Sequence, residues 1–267
     1  MRKRWFTLIL ILSQFTSQAM SILIPMDGSQ ANHLKAYGII YSALQKDTPV
    51  EWLLNYRGGS FLIPYSSSLE GECKIHGVTT ELLTDSKTQS ILSGITKPEV
   101  NMNVVRLERA ARIVVYSPKN DIILEPSNSR KFSDINSSNG RPNFNEPMNS
   151  YFRLFDFSAK WDIIASMLIQ NHDPVIHEFF GQTSTFNKFL IKPRVLVLGE
   201  NTEENKVRYI HDEFGKGFWT FYSGHDPEGS PGPRKISDLN LYPHSPGYRL
   251  ILNNVLFPSA KKKKQKT

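Results

Sequence analysis

Only one cysteine, Cys73, occurs in the 267 residues, so no disulfide can form within the chain and the fold must hold by packing alone. Long apolar runs are missing too. The longest, Trp5 to Leu12, is broken only by Thr7 and falls well short of the roughly 20 residues that a membrane span needs. The sequence has no H-E-x-x-H, no paired C-x-x-C and no P-loop, which removes the commonest zinc and nucleotide sites, and no cofactor is expected. His172 and His177 are five residues apart and do not stack on one helical face. His211-Asp212-Glu213 is too tightly spaced to define a metal site. Between its two ends the chain also lacks a charge excess. The net charge is +7, but Arg2, Lys3, Arg4, Lys261, Lys262, Lys263, Lys264 and Lys266 more than account for it. Nucleic acid is therefore not an expected partner.

The first residues carry the clearest positive signal. Arg2, Lys3 and Arg4 precede the apolar run, and Ser17-Gln18-Ala19 supplies a small-x-small cleavage site. This order is that of a signal peptide over residues 1–20, and it implies export to the periplasm or cell envelope. The Lys-rich residues 259–267 read as a solvated tail. The alternative is electrostatic contact with an anionic envelope surface.

Along the body, short strands alternate with helices. Strands are expected at Ser21 to Pro25, Val50 to Leu54, Phe61 to Ile63 and Val78 to Leu83. Helices are expected at Gln30 to Lys46, capped by Ser29, at Ser68 to His76, ended by Gly77, and at Thr84 to Ile95. That alternation predicts an α/β fold with a parallel, flavodoxin-like sheet. A first α/β unit spans 21–100 and a second spans 101–258. The second contains strands at Arg112 to Tyr116, Val195 to Leu198 and Phe218 to Tyr222. Its final helix is capped by Ser245 and has an apolar face of Tyr248, Ile251, Leu252, Val255 and Leu256. Residues 119–149 are crowded with Asn, Ser, Pro and Asp where a parallel sheet would need a crossover helix, so the second unit reads as incomplete.

Three constellations could carry chemistry. At the end of the Phe218 strand stand Gly224, His225, Asp226 and Glu228, where His225 could act as a base oriented by Asp226 or Glu228, or could close a polar turn. Arg57-Gly58-Gly59 could present a guanidinium and backbone amides to an anion, or could simply be a turn. Trp219 offers a stacking surface near His225. Cys73, on a short helix beside Leu69 and Ile75, reads as a packing residue.

Several strings resemble a family of exported bacterial proteins labelled asparagine synthetase B. They are Ile22-Leu23-Ile24-Pro25-Met26-Asp27, Asn32 to Gly38, Leu53 to Phe61, Asn103 to Ala110, Phe157 to Asp162, Gly217 to Glu228, and Ser245 to Pro258. The C-terminal part resembles the class I glutamine amidotransferase-like fold, including its trehalose-utilisation-type branch, in which a strand ending in Gly-His leads to the last helix. The resemblance implies a class I amidotransferase-like sheet and a catalytic role for His225. Four departures count against the chemistry that these resemblances imply. Arg2 stands where an N-terminal nucleophile cysteine would be needed, and no S-G-G-x-D-S nucleotide loop is present. The H-P-E of class I amidotransferases is here His225-Asp226-Pro227-Glu228, one residue longer. The family's middle α/β stretch, which brings an elbow cysteine, is replaced by the polar segment.

The sequence therefore points to an exported envelope protein with a shortened, non-catalytic amidotransferase-like domain that binds a small polar ligand. The alternatives are a hydrolase or glutamine amidotransferase using His225, and a scaffold acting through a protein partner. Loss of interior strands would leave sheet edges open, so self-association to a homo-oligomer is also expected. The export reading has a direct check. Mass spectrometry of protein from the envelope fraction of a Gram-negative host should find a mature N-terminus near Met20 or Ser21, and an intact Met1 there would contradict it.

Overall fold

A computed structural model describes residues 20–112, 145–146, 151–156, 158–160, 175–177, 181–182, 186–214, 217–222 and 246–260. The leader 1–19, most of the polar segment 119–149 and the tail 261–267 lie outside them, as do residues 113–116 of the strand expected at Arg112 to Tyr116.

The first unit follows the alternation read from the sequence. Its elements are β1 (Met20–Ile24), α1 (His33–Gln45), β2 (Val50–Leu54), β3 (Ser60–Pro64), α2 (Ser67–Ile75), β4 (Glu81–Thr84), α3 (Asp85–Thr96) and β5 (Asn103–Leu107). The cap of α1 is Asn32 rather than Ser29: its side chain accepts from the Lys35 amide. Gly77 follows α2 with φ +65°, the left-handed conformation that ends helices and favours glycine.

The pairing departs from expectation. The five strands lie in the order β4-β1-β3-β2-β5, and every neighbouring pair is antiparallel. The flavodoxin-like or class I amidotransferase-like parallel sheet is thus overturned. The cause is the link between β2 and β3. Residues 55–59 are far too few for a parallel crossover, which takes a dozen or more, so the two strands must form a hairpin. β3 then returns between β1 and β2, which run parallel to each other without touching. β4 similarly lies on the far side of β1 from β3. The order and directions of β1 to β4 are those of the split β-α-β, or ferredoxin-like, arrangement, and β5 adds an outer strand beside β2. Local alternation of strand and helix is the same in this arrangement as in a parallel sheet.

Strand periodicity buries both faces. Ile22, Ile24, Val50, Trp52, Leu54, Phe61 and Ile63 face α1 and α2, where Tyr37, Ile40, Leu44, Leu69 and Cys73 meet them. Leu23, Leu53, Leu62 and Leu83 face the other way, onto Ile91 and Ile95 of α3. Trp52 and Phe61 are direct cross-strand partners with stacked rings, 5.8 Å between centroids, and Tyr37 meets Phe61 edge-on at 5.5 Å.

The second unit is also antiparallel, so the incomplete parallel unit is not found either. Short strands β6 (Asn145–Glu146) and β9 (Gly181–Gln182) pair apart from the main sheet. The main sheet comprises β7 (Tyr151–Leu154), β8 (Val175–His177), β10 (Phe186–Asn187), β11 (Leu196–Asn201), β12 (Lys206–Phe214) and β13 (Gly217–Tyr222). The long strand β12 pairs with β11 along one edge. β10, opposite Lys206 and Val207, and β13, opposite Tyr209 to Phe214, share the other. Its links to β11 and β13 are again hairpin-length. Phe186 packs edge-on against Phe221, 4.9 Å between centroids, over Val207 and Ile210.

The last helix, α4 (Pro246–Leu256), joins the two units. Leu256 is buried in the first core, and Leu107 bridges to Ala260 beyond the helix. On the side of the second sheet, Asn254 Nδ2 donates to the Tyr209 hydroxyl, and the Thr220 hydroxyl donates to Asn254 Oδ1 at 3.0 Å. Over residues 249–256 the buried positions are Arg249, Leu250, Asn253 and Leu256, whereas Ile251, expected inside, is 42% exposed. Two polar residues thus replace part of the apolar face.

One position in the second sheet tolerates no side chain. A methyl group on Gly199 would meet the ring of the fully buried Phe152 at 2.7 and 2.8 Å, and Tyr209 Cβ at 3.2 Å. Gly199→Ala should therefore destabilise the protein by about 1–3 kcal/mol, the usual cost of overpacking, measured by chemical denaturation. An unchanged midpoint would mean that Phe152 has room to move.

Candidate ligand-binding site

The hairpin turn between β2 and β3 is built almost wholly from left-handed backbone. Asn55 has φ 62°, Arg57 φ 46°, Gly58 φ 77° and Gly59 φ 81°. Glycine adopts this region freely and asparagine tolerates it, but for an arginine it costs about 1–2 kcal/mol. The surroundings must hold it there. The Arg57 carbonyl accepts from the Met26 amide at 3.1 Å and from the Ser60 hydroxyl at 3.1 Å. The Gly59 carbonyl accepts from Trp52 Nε1 at 3.1 Å, and the Asn55 side chain donates to the Asn101 carbonyl at 2.8 Å.

That backbone conformation aims the Arg57 side chain across the end of the sheet. Its Nε donates to Asp27 Oδ2 at 2.7 Å, Nη1 to Glu81 Oε1 at 2.7 Å, and Nη2 to the Ser29 hydroxyl at 3.1 Å. Asp27 follows β1 and Glu81 opens β4, so one guanidinium ties three chain segments. The Asp27 carboxylate also accepts from the Ser29 amide, at 3.0 Å, and from its hydroxyl. Side-chain exposure is 29% for Arg57 and Asp27 and 43% for Glu81, so the cluster is open to solvent.

Burial alone would raise the Asp27 carboxyl, but the hydrogen bonds from Arg57 and Ser29 outweigh it and bring it down to about 2 from 3.8. The hydrogen bond to Asp27, joined by Glu81, holds Arg57 above its ordinary value. Burial pushes the Tyr56 phenol up. It lies near enough to Arg57, Glu81 and Asp27 to feel all three charges.

The Arg57 guanidinium is committed to two carboxylates, and the Gly59 amide donates to the Tyr56 carbonyl. The cluster carries two negative charges against one positive, so it presents acceptor oxygens to an incoming molecule. It is also unsuited to proton transfer, because a carboxyl held at about 2 is a weak base at neutral pH. The Cys73 thiol is fully buried, and burial, with Glu72 and Glu70 nearby, raises it to about 11 from 9.0. It is almost entirely protonated at neutral pH and serves as core.

Of the residues singled out in the sequence, Arg57, Gly58 and Gly59 share this turn. Trp219 lies in the other sheet, on β13 opposite Asp212, and is 36% exposed. Gly224, His225, Asp226 and Glu228 lie outside the described residues. Among the described residues no group of three or more His, Cys, Asp or Glu side chains could hold a metal ion. Sequence reasoning missed Asp27, Ser29, Tyr56 and Glu81. The usable signal was an arginine in a glycine turn, which demands an acidic partner elsewhere.

The depressed Asp27 carboxyl has a pH signature. Its folded value lies below the unfolded one, so its stabilisation is full above about pH 4 and is lost as pH falls towards 2. Asp27→Asn should flatten the stability profile between pH 4 and 2 relative to the parent protein, followed by thermal melting. Parallel profiles would show that Asp27 contributes nothing there.

No protein-family model, no curated protein and no solved structure matches the chain, so the site is read from its own geometry.

Proposed function

We propose that this is an exported protein whose first unit binds a small polar ligand without transforming it, at the mouth formed by Asp27, Ser29, Tyr56, Arg57 and Glu81. The reading is carried by the Arg57 clamp. A non-glycine residue is held in left-handed backbone, and its guanidinium is fixed at 2.7 Å from each of two carboxylates at an open end of the sheet. Strained backbone of this kind concentrates at ligand clamps.

The excess of acceptor oxygens selects the ligand class. A molecule bearing amine or hydroxyl groups can donate to Glu81 and Asp27. An anion would meet net negative charge. Binding without catalysis is favoured because Asp27 is held well below the usual carboxylate range and the Cys73 thiol is buried in the core. Export rests on the leader of residues 1–20. Among the described residues no helix is long and apolar enough to cross a membrane.

Glucosamine carries both donor types and serves as a probe. At fixed chloride concentration it should raise the melting temperature of the mature protein in a saturable way. Glu81→Gln keeps the shape and removes one charge, and should weaken the apparent affinity about tenfold, as expected for losing a charge-assisted hydrogen bond. Equal shifts in parent and variant would remove the proposed site.

A further inference from the structure

The end of α1 farthest from the Arg57 mouth borders a groove. α1 begins beside Met26 and Asp27, where His33 Nε2 meets the Met26 carbonyl, and its 13 residues rise about 20 Å away from that point. There the last turn faces the chain beyond β5 across an open groove of about 560 Å³, within the usual size of a small-molecule site. Its apolar lining is Tyr41, Leu44, Ala110 and Ala111. Leu44 is buried in the first core, and Tyr41 and Ala110 pack against it. Two hydrogen bonds hold the walls together. The Ala110 amide donates to the Leu44 carbonyl at 3.3 Å, and the Tyr41 hydroxyl donates to the Ala111 carbonyl at 3.0 Å.

The polar lining is Gln45, Asp47, Arg109 and Arg112, so two guanidiniums face one carboxylate. Asp47 lies 3.5 Å from Arg109 Nε, and their side chains are 77% and 85% exposed. Such a pair is a loose surface contact that a ligand can displace. Arg112 is exposed as well. Three carbonyls of the last helical turn are already used. Those of Ser42, Ala43 and Leu44 accept from the amides of Lys46, Asp47, Thr48 and Ala110, so they do not oppose an anion as free acceptors. Neighbouring charges close among themselves. Lys46 pairs with Glu72 at 3.6 Å, and Arg106 pairs with Glu51 and Glu108 on the opposite face of the sheet.

We propose that this groove binds one small carboxylate with an apolar body, its head held by Arg109 and Arg112 and its body laid against Tyr41 and Leu44. A guanidinium takes a carboxylate through parallel N–H donors, and the Gln45 amide can add another. A chloride or phosphate ion would leave the apolar lining in water, whereas a hydrocarbon body covers it. The site is independent of the donor-bearing ligand assigned to the Arg57 mouth. It lies at the other end of α1, and its charge is of the opposite sign.

The test uses the mature full chain, with sodium hexanoate as the probe against sodium chloride at equal ionic strength. Ligand-observed NMR and melting temperature should both show saturable binding of hexanoate. Acetate lacks the apolar body and hexanamide lacks the charge, and each should bind at least about tenfold more weakly. Arg109→Gln and Arg112→Gln, both at exposed positions, should each weaken hexanoate binding about tenfold. Asp47 has φ 54°, and asparagine tolerates that backbone equally well. Asp47→Asn removes the competing carboxylate, so it should tighten binding about threefold. Glu81→Gln, in the Arg57 mouth, should leave hexanoate binding unchanged, so the two readings fail separately. No saturable hexanoate binding overturns the proposal. So does equal binding of hexanamide, binding untouched by both arginine variants, binding no tighter in Asp47→Asn, or its loss in Glu81→Gln.

Discussion

The reversal of the chain at Asn55 to Gly59 is the constraint on which the first unit depends. Left-handed backbone at four of five positions closes β2 onto β3 and turns the intervening carbonyls outward from the hairpin. The Tyr56 and Gly59 carbonyls find donors nearby, whereas those of Arg57 and Gly58 take theirs from distant parts of the chain. Met26 reaches Arg57, Trp52 reaches Gly59, and Arg249 reaches Gly58. The turn is therefore a meeting point for the end of β1, the core indole and the last helix. The conformation that makes the hairpin also sends the Arg57 side chain over the sheet end. Fold and candidate site share one local cause.

The second dependency is α4, which packs an apolar and a polar surface at once. Its Leu252 and Leu256 enter the first core, and its Asn253 and Asn254 reach Tyr37 on one side and Tyr209 on the other. Burial raises the Tyr209 phenol well above its usual range, with the Asn254 hydrogen bond working against the rise. A neutral hydroxyl between two units is a directional contact, since it needs a partner at a fixed angle. Apolar packing alone would permit the helix to slide. The asparagines set its register.

Much of the first unit was legible element by element. The strand at Val50 to Leu54, the helix ending at Gly77 and the burial of Cys73 all follow from periodicity and turn chemistry. Pairing was not legible from the order of elements, because a split β-α-β arrangement and a parallel sheet alternate identically. Loop length carried the missing information. Five residues between two strands, with two glycines among them, force a hairpin whatever the helices suggest. In the second unit β12 was overlooked because Lys206, Arg208, His211 and Asp212 break its apolar pattern. Three of these, Arg208, His211 and Asp212, are buried polar residues that composition cannot place. The acidic partners of Arg57 were hidden for another reason. Asp27 and Glu81 are 30 and 24 residues away from it, and only the strand order brings them together.

The contacts of α4 also bear on the timing of folding. Tyr37 pairs with a residue 216 positions later, and Met26 with one 223 positions later. A nascent chain that has released only the first sheet has no cover for that end of its core, and loop closure of this span makes completion slow. The segment that locks this end of the fold is withheld until nearly all of the chain is available, so the first sheet and its helices wait for their last cover.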